Sequence, residues 1–400
     1  MQGHAPSLNN SKSVCMLVSN DMLNDPRVRR HAETLGSQGF LVTVICPSSN
    51  RSPQDERTRS YEVKRARSFI ADALNALDER RDKSAKNVSQ ERENKIRRAA
   101  INLIQILITQ IILLGPARAQ RAQIYCANDL DTLLSTILAA GLDRKVVYDS
   151  HELWPDMLLV PEPIKTIART VEKLLVRHTD LVMTVNEFIA AELTSRYSLR
   201  NPPEVVYNCP NKPFVLPKRR MRQTKIALYQ GRYSPDRGLE NLVRAADHLL
   251  PDIRLVLRGF GVIEKKLTSL SGGRTNVQFE RPVKPDEVVS AASEADVGII
   301  TYPATNLNNY LASPNKLFEY MNAGLTIVSS DIPFVRKIVL ENDIGALFDP
   351  RDPSSIANAL NRATREPMLR RQRANLASVV SKYSWKNESK KLLQVYANLQ

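Results

Sequence analysis

Two α/β domains, each built on a parallel sheet wound on both faces, are what this chain of 400 residues predicts. Three observations carry that expectation. Apolar runs of strand length alternate with helical patterns over roughly the first half. A stretch rich in proline and basic residues, NKPFVLPKRRMRQTK, then breaks all periodicity. A second alternating series of similar length follows it. With 42% hydrophobic residues the chain can bury more than one core. Two Rossmann-like domains facing each other across a cleft are the natural arrangement, with ligands expected at the carboxyl ends of the strands.

The elements can be justified in order. VCMLVS reads as a buried strand, PRVRRHAETLGSQG as a helix that a glycine ends, and FLVTVICP as the next strand. A charged stretch from about Arg51 to Arg98 interrupts the pattern. It resumes with QIYCAND, LDTLLSTILAAG, KVVYDSHE, IKTIARTVEKLLVRHTD, LVMTVN, EFIAAELTSRY and EVVYNCP. Beyond the linker come IALYQGR, LENLVRAADHLL, IRLVLRGFG, VIEKKLTSL, NVQFERPV, DEVVSAASEA, VGIITYP, SPNKLFEYMNAG, TIVSSD, FVRKIVLEN and SSIANALNRATR. The expected boundaries are residues 1–210 for the first domain, with a basic and apolar insertion at about 51–122, then a linker at 211–222. Residues 223–375 form the second domain and 376–400 a terminal amphipathic helix.

SPNKLFEYMNAG, residues 313–324, carries the first chemical signal. Ser313 suits an N-cap, Pro314 the first helical position and Gly324 the stop. Lys316 near the start opposes the helix macrodipole, which favours anions there. Free N–H groups, a lysine beside them and Glu319 one turn later would together suit a phosphate ester bearing a hydroxylated sugar. Arg232 and Arg237, in the strand-to-helix loop RYSPDRG, either clamp a diphosphate or are two solvated arginines of a basic protein.

Composition narrows the partners. A formal charge of +15 and a pI near 9.7 favour anions. Aromatics are 6% and do not cluster with basic residues, which argues against nucleic acid. Cys15, Cys46, Cys126 and Cys209 are widely spaced in apolar runs and read as reduced core residues of a cytoplasmic protein. The polar start MQGHAPSLNNSKS shows no apolar signal region. INLIQILITQIILLG, flanked by Arg97, Arg98, Arg118 and Arg121, is too short to span a bilayer; residues 97–121 are either an interfacial helix on an anionic leaflet or a helix packed on the sheet. No Gly-x-Gly-x-x-Gly follows the first strand and there is no Walker loop, so neither a dinucleotide nor a P-loop site is supported. Asp129 and Asp131 are spaced like a metal pair, but Asp129 ends a strand and is expected to cap the helix from Leu130; no metal site is expected.

A strand running into Gly231-Arg232 with Arg237 before a glycine, a following strand ending at Gly259, LFEYMNAGLTIVSSD, GALFDPRDPSSIANAL, VVYDSHELWPD and VVYNCPN together resemble the family 4 glycosyltransferases of GT-B fold. The resemblance covers nearly the whole chain outside residues 51–122. It implies a retaining transferase that takes a nucleotide diphosphate sugar as substrate, with no further cofactor, and passes the sugar to a glycan or lipid-linked acceptor. Carried over, it gives the diphosphate to Arg232 and Arg237, the ribose to Glu319, and phosphate-binding N–H groups to Asn315, Lys316 and Leu317, with Gly231 and Gly259 lining the donor site. His151 is expected near the transferred sugar, or else as a strand-end histidine satisfied by Glu152. Asn20, Asn24, Asp25 and Arg27 replace the glycines usual in the first loop and stand on the acceptor side. Leu311 stands where the family often has a glutamate. The resemblance also implies a cytoplasmic protein, peripheral on the inner membrane face. A nucleotide-sugar epimerase and a non-catalytic partner or scaffold are the alternatives.

Overall fold

The computed structural model describes residues 12–23, 25–48, 56–58, 60–66, 88–157, 162–211, 214 and 223–399, with side chains from 104 onward in the helix that begins at Val88. Two compact units account for the chain. The first comprises Met1–Val185, Ala190–Val206 and Ser389–Gln400, the second Asn186–Ile189 and Tyr207–Glu388.

In the first unit the strands are β1 (Ser13–Leu17), β2 (Leu41–Pro47), β3 (Glu56–Arg57), β4 (Tyr61–Ala66), β5 (Ile124–Asn128), β6 (Lys145–Ser150), β7 (Leu181–Thr184) and β8 (Glu204–Val205). They form one sheet in the order β3-β4-β2-β1-β5-β6-β7-β8, parallel except for β3. Chain order reverses between β1 and β5. Such a reversal parts the loops that follow the two strands and leaves a crevice at their carboxyl ends. Asn128 ties the two together there, its amide donating to the Leu17 carbonyl at 2.9 Å.

The segment expected as an insertion supplies part of this sheet. Tyr61–Ala66 pairs with β2 along its length, burying Tyr61 and Val63. The charged residues between them mask the period of two, so a strand read as a charged stretch. Val88–Ala119 is one helix; Leu113 and Ala117 are buried in the sheet's core, and Gln110 Oε1 accepts from the Ser135 N–H at 2.8 Å. The side chains of Arg97 and Arg98 lie outside the described residues, as do Asn24 and all but two residues of the expected linker. Among the described residues no helix is long and apolar enough to cross a membrane.

In the second unit β9 (Lys225–Arg232), β10 (Ile253–Phe260), β11 (Val277–Glu280), β12 (Val297–Ile300), β13 (Thr326–Ser330) and β14 (Gly345–Phe348) make a fully parallel sheet, ordered β11-β10-β9-β12-β13-β14. The reversal falls between β9 and β12. An apolar core lies on each face. Leu317, Phe318, Met321, Phe334 and Ile338 build one; Leu239, Leu242, Leu255, Leu257, Ile356 and Leu360 build the other. Tyr207, Phe318, Phe334 and Tyr383 cluster with ring centroids 5.5–6.3 Å apart, each ring contributing about 1.5–3 kcal/mol by burial. All four cysteines are buried thiols outside any disulfide.

Candidate functional site

At the reversal point of the second sheet, the loop after β9 enters a short 3-10 turn, Pro235–Arg237. This turn lies against the residues that follow β12: the Thr301 hydroxyl donates to the Arg237 carbonyl, and the Arg237 guanidinium sits 4.0 Å from the centre of the Tyr302 ring. Stacking on the ring helps fix the guanidinium, whose Nε also lies 3.6 Å from Asp236 Oδ2.

Helix Asn315–Asn322 approaches the same strand ends. It starts one residue later than its sequence suggests: Pro314 occupies the N-cap position, and the buried Ser313 hydroxyl makes no hydrogen bond among the described residues. Proline has no side-chain acceptor, so the first turn keeps N–H groups that no capping side chain takes. At its other end Gly324 N–H donates to the Met321 carbonyl and Leu325 N–H to that of Tyr320, a Schellman closure. Tyr320 Oη accepts from the Gln230 backbone N–H at 2.8 Å and so pins the helix to β9.

That pinning sets Lys316. Its amine lies 5.3 Å from the centre of the Tyr229 ring and directly over Gly231. Burial, and then the nearby Arg237, pull the amine down to about 8, with Glu319 and Asp236 only partly opposing. Gly231 has φ of +148°, which favours glycine, and a Cβ there would meet Lys316 Nζ at 2.7 Å and so displace the amine. Gly259 faces Gly231 across the β9–β10 pair, and a Cβ on it would overlap the Gly231 carbonyl oxygen. Gly259 therefore serves the close approach of two strands.

Arg232 ends β9 with its side chain exposed; its carbonyl accepts from Tyr229 Oη at 2.9 Å. Asn315 Oδ1 accepts from Asn208 at 2.8 Å. Leu311 is buried, and its carbonyl accepts from the buried Asn186 amide at 2.8 Å. That amide was invisible in the sequence because 125 residues separate the partners.

The first unit gathers a second constellation, also at strand carboxyl ends. His151 follows β6. Its Nδ1 lies 3.2 Å from Asp129 Oδ2, its Nε2 3.2 Å from Asp149 Oδ2, and its backbone N–H donates to Asp129 Oδ1 at 2.9 Å. Burial alone would lower the ring's pKa, but the two carboxylates lift it to about 10, so His151 is an imidazolium at neutral pH. Asp149 is buried as well; Arg27 and His151 nonetheless hold its carboxyl well below the usual range. His31 is driven the other way, kept neutral by burial and by Arg27. Asp131 is raised to about 7 by burial and by Asp129.

Three expectations change here. Asp129 stands at the N-cap position of helix Leu130–Ala140 with φ of +68°, but its carboxylate caps nothing and serves His151 instead. Arg27 is no acceptor-side group: its guanidinium is buried, bonded to both oxygens of Asp149 and, through NH1, to the Val206 carbonyl at 2.8 Å. Asp25 is committed too, accepting from Val28 N–H at 3.1 Å as the cap of helix Pro26–Ser37 and from Asn20 at 2.8 Å.

Residues 27–211 match Glycosyltransferase Family 4, and residues 216–378 match the glycosyl transferases group 1. The chain belongs to the group 1 glycosyltransferases. The phosphatidyl-myo-inositol mannosyltransferase of Mycobacterium leprae is 30% identical to this chain over 181 residues, 44% of the present chain and 47% of that protein. The D-inositol 3-phosphate glycosyltransferase of Corynebacterium urealyticum is 29% identical over 189 residues, 44% and 43% of the two chains. The chain thus spans about half the length of the curated relatives it matches. Among solved structures, sucrose-phosphate synthase from Thermosynechococcus elongatus aligns with a TM-score of 0.68 at 16% identity, covering 97% of this chain and 99% of that one. HepE from Anabaena, in complex with UDP and glucose, aligns with a TM-score of 0.70 at 14% identity, covering 97% and 100%. These likenesses place the group 1 glycosyltransferase in the GT-B fold.

Proposed function

We propose that the protein transfers a sugar from a nucleotide diphosphate sugar, with retention of anomeric configuration, to a glycan or lipid-linked acceptor in polysaccharide or glycolipid synthesis. One observation carries the donor assignment. Lys316, over Gly231, and Arg237, against Tyr302, lie close enough to repel each other beside a helix start with no side-chain cap; Glu319 and Asp236 offset that repulsion in part, and a bound anion would offset more. A diphosphate there would accept from the first-turn N–H groups of Asn315 and Lys316 and from both cations; the Leu317 N–H already donates to the Pro314 carbonyl at 2.9 Å. Glu319, one turn along, would receive the ribose hydroxyls. Arg232, at the open end of β9, would complete the charge stabilisation as the diphosphate leaves, so no divalent ion is required.

His151 supports the chemistry differently from a free imidazole. Both its ring nitrogens and its N–H are engaged, so its carbonyl is the group left to meet a sugar hydroxyl or a developing positive charge. The ring fixes where that carbonyl points. HepE, solved with UDP and glucose, is a neighbour whose ligands accord with a nucleotide-sugar donor.

A thermal-shift screen against UDP, GDP, ADP and their sugars tests this reading. A ligand at about 100 times its dissociation constant stabilises the native state by roughly 2.7 kcal/mol. The expected outcome is a shift with one nucleotide that EDTA leaves unchanged and Arg237→Ala removes. No shift with any of them would defeat the donor assignment.

A further inference from the structure

Helix Glu162–Val176 is mounted inside out. Its inward side carries Glu172, fully buried, whose carboxylate accepts from Tyr148 Oη at 2.7 Å and Tyr197 Oη at 2.6 Å. Arg169 on the same side pairs with Asp156 at 2.6 Å and with Glu162. The outward side is aliphatic. Ile164, Ile167, Val171 and Leu174 recur at intervals of three, four and three residues, fall on one narrow arc of the helix and are all exposed, Ile167 at 63%. A helix packed on a sheet normally turns its apolar stripe inward; this one shows that stripe to the outside.

Its neighbours do the same. Helix Leu130–Ala140 packs beside it and exposes Leu134 and Leu138. Helix Val88–Ala119 packs against that one and exposes Ile104, Leu107 and Ile111, again at intervals of three and four, with Ile111 at 72%. Scattered exposed aliphatics need no explanation, but three adjacent helices that each expose aliphatic side chains at helical spacing are uncommon on soluble surfaces.

We infer that this three-helix face docks on an anionic lipid surface. Charge supports a lipid occupant. Arg118, Arg144 and Arg177 lie at or just past the ends of the three helices, and Lys173 flanks the stripe of the third. Because each helix leads back to the start of a parallel strand, these ends share one edge of the sheet. Against them stand the exposed Asp143, Asp180 and Glu162; Asp180 is already paired with Lys145 and Glu162 with Arg169. Aliphatic side chains bordered by basic groups match the acyl boundary and headgroups of an acidic leaflet. A second copy docked with its helices running parallel to these would instead bring the same basic edge against itself across the twofold axis. The inference deepens the lipid-linked reading above and moves the contact from residues 97–121 alone to a face spread over three helices.

The test is co-sedimentation of the full chain with vesicles of phosphatidylcholine alone and of phosphatidylcholine with phosphatidylglycerol. It reads membrane partition alone, so it stands apart from the nucleotide screen. The expected result is binding to the acidic vesicles that falls with added salt. Ile167→Ser and Leu174→Ser should each weaken it by roughly tenfold, since each removes a buried aliphatic chain from the bound state. Arg144→Glu with Arg177→Glu should weaken it for acidic vesicles only. All four positions are exposed, so folding is unaffected, and an unchanged circular dichroism melt confirms it. Absence of binding at low salt, or equal binding by Ile167→Ser/Leu174→Ser, overturns the proposal. A concentration-dependent dimer in light scattering that the same double variant dissolves overturns it too, and assigns the face to a second copy.

Discussion

Lys316 shows how a single side chain can be set by its surroundings. An amine drawn down to about 8 is charged at neutral pH and loses its proton readily above it. Nucleotide diphosphate affinity should therefore decline as pH rises through about 8, and Lys316→Arg, which stays charged, should flatten that profile; titration calorimetry from pH 6.5 to 9.5 checks both. His151 makes the opposite prediction for stability. Its folded pKa, about 10, lies above the ordinary 6.5, so its contribution is fully present below about 6.5 and is lost as pH rises through about 10. Denaturant unfolding across that window should show a decline that His151→Gln lacks. His151→Ala, which leaves Asp129 and Asp149 facing each other, should cost roughly 3–5 kcal/mol at pH 7. The helix that carries Lys316 and Glu319 was legible to within one residue, because proline, glycine and dipole signals are local. The ion network around His151 was not, because Arg27, Asp129 and Asp149 come from three distant segments and nothing in a strand-end histidine announces two carboxylates.

Elements were legible wherever one period dominated. Both sheets and most helices announce themselves through apolar runs, whereas β4 was hidden by its charges, and the start of helix Asn315–Asn322 moved by one residue because tertiary bonds hold it. Those bonds leave little tolerance at Gly231. Gly231→Ala would force a strained φ and press on Lys316, so we expect a stability loss of about 1–3 kcal/mol. Nucleotide binding should fall as well, and adding Lys316→Met to Gly231→Ala should weaken binding less than the separate effects sum to, since both act through one amine. Additive losses in calorimetry would show that Gly231 acts on the ligand by another route. The outward stripe of helix Glu162–Val176 was illegible for a plain reason: periodicity reveals that a helix has an apolar side, not which way that side is turned.

At the scale of the whole molecule, each unit repeats one design, a largely parallel sheet whose chain order reverses at a central strand pair, β1–β5 in the first and β9–β12 in the second, with charged groups collected there. The buried cysteines have a practical meaning beyond their place in the cores. Cys15 and Cys126 are both pushed up, Cys126 to about 12, chiefly by burial, and Cys46 and Cys209 are fully covered. Thiolate is the species that alkylating reagents attack, so the folded chain should take up no maleimide in minutes at pH 7, as mass spectrometry would record, and four equivalents once denatured. The wild-type sequence is then already a silent background for spectroscopy: one cysteine placed at the fully exposed Leu142 would carry a fluorophore alone, with none of the native thiols removed.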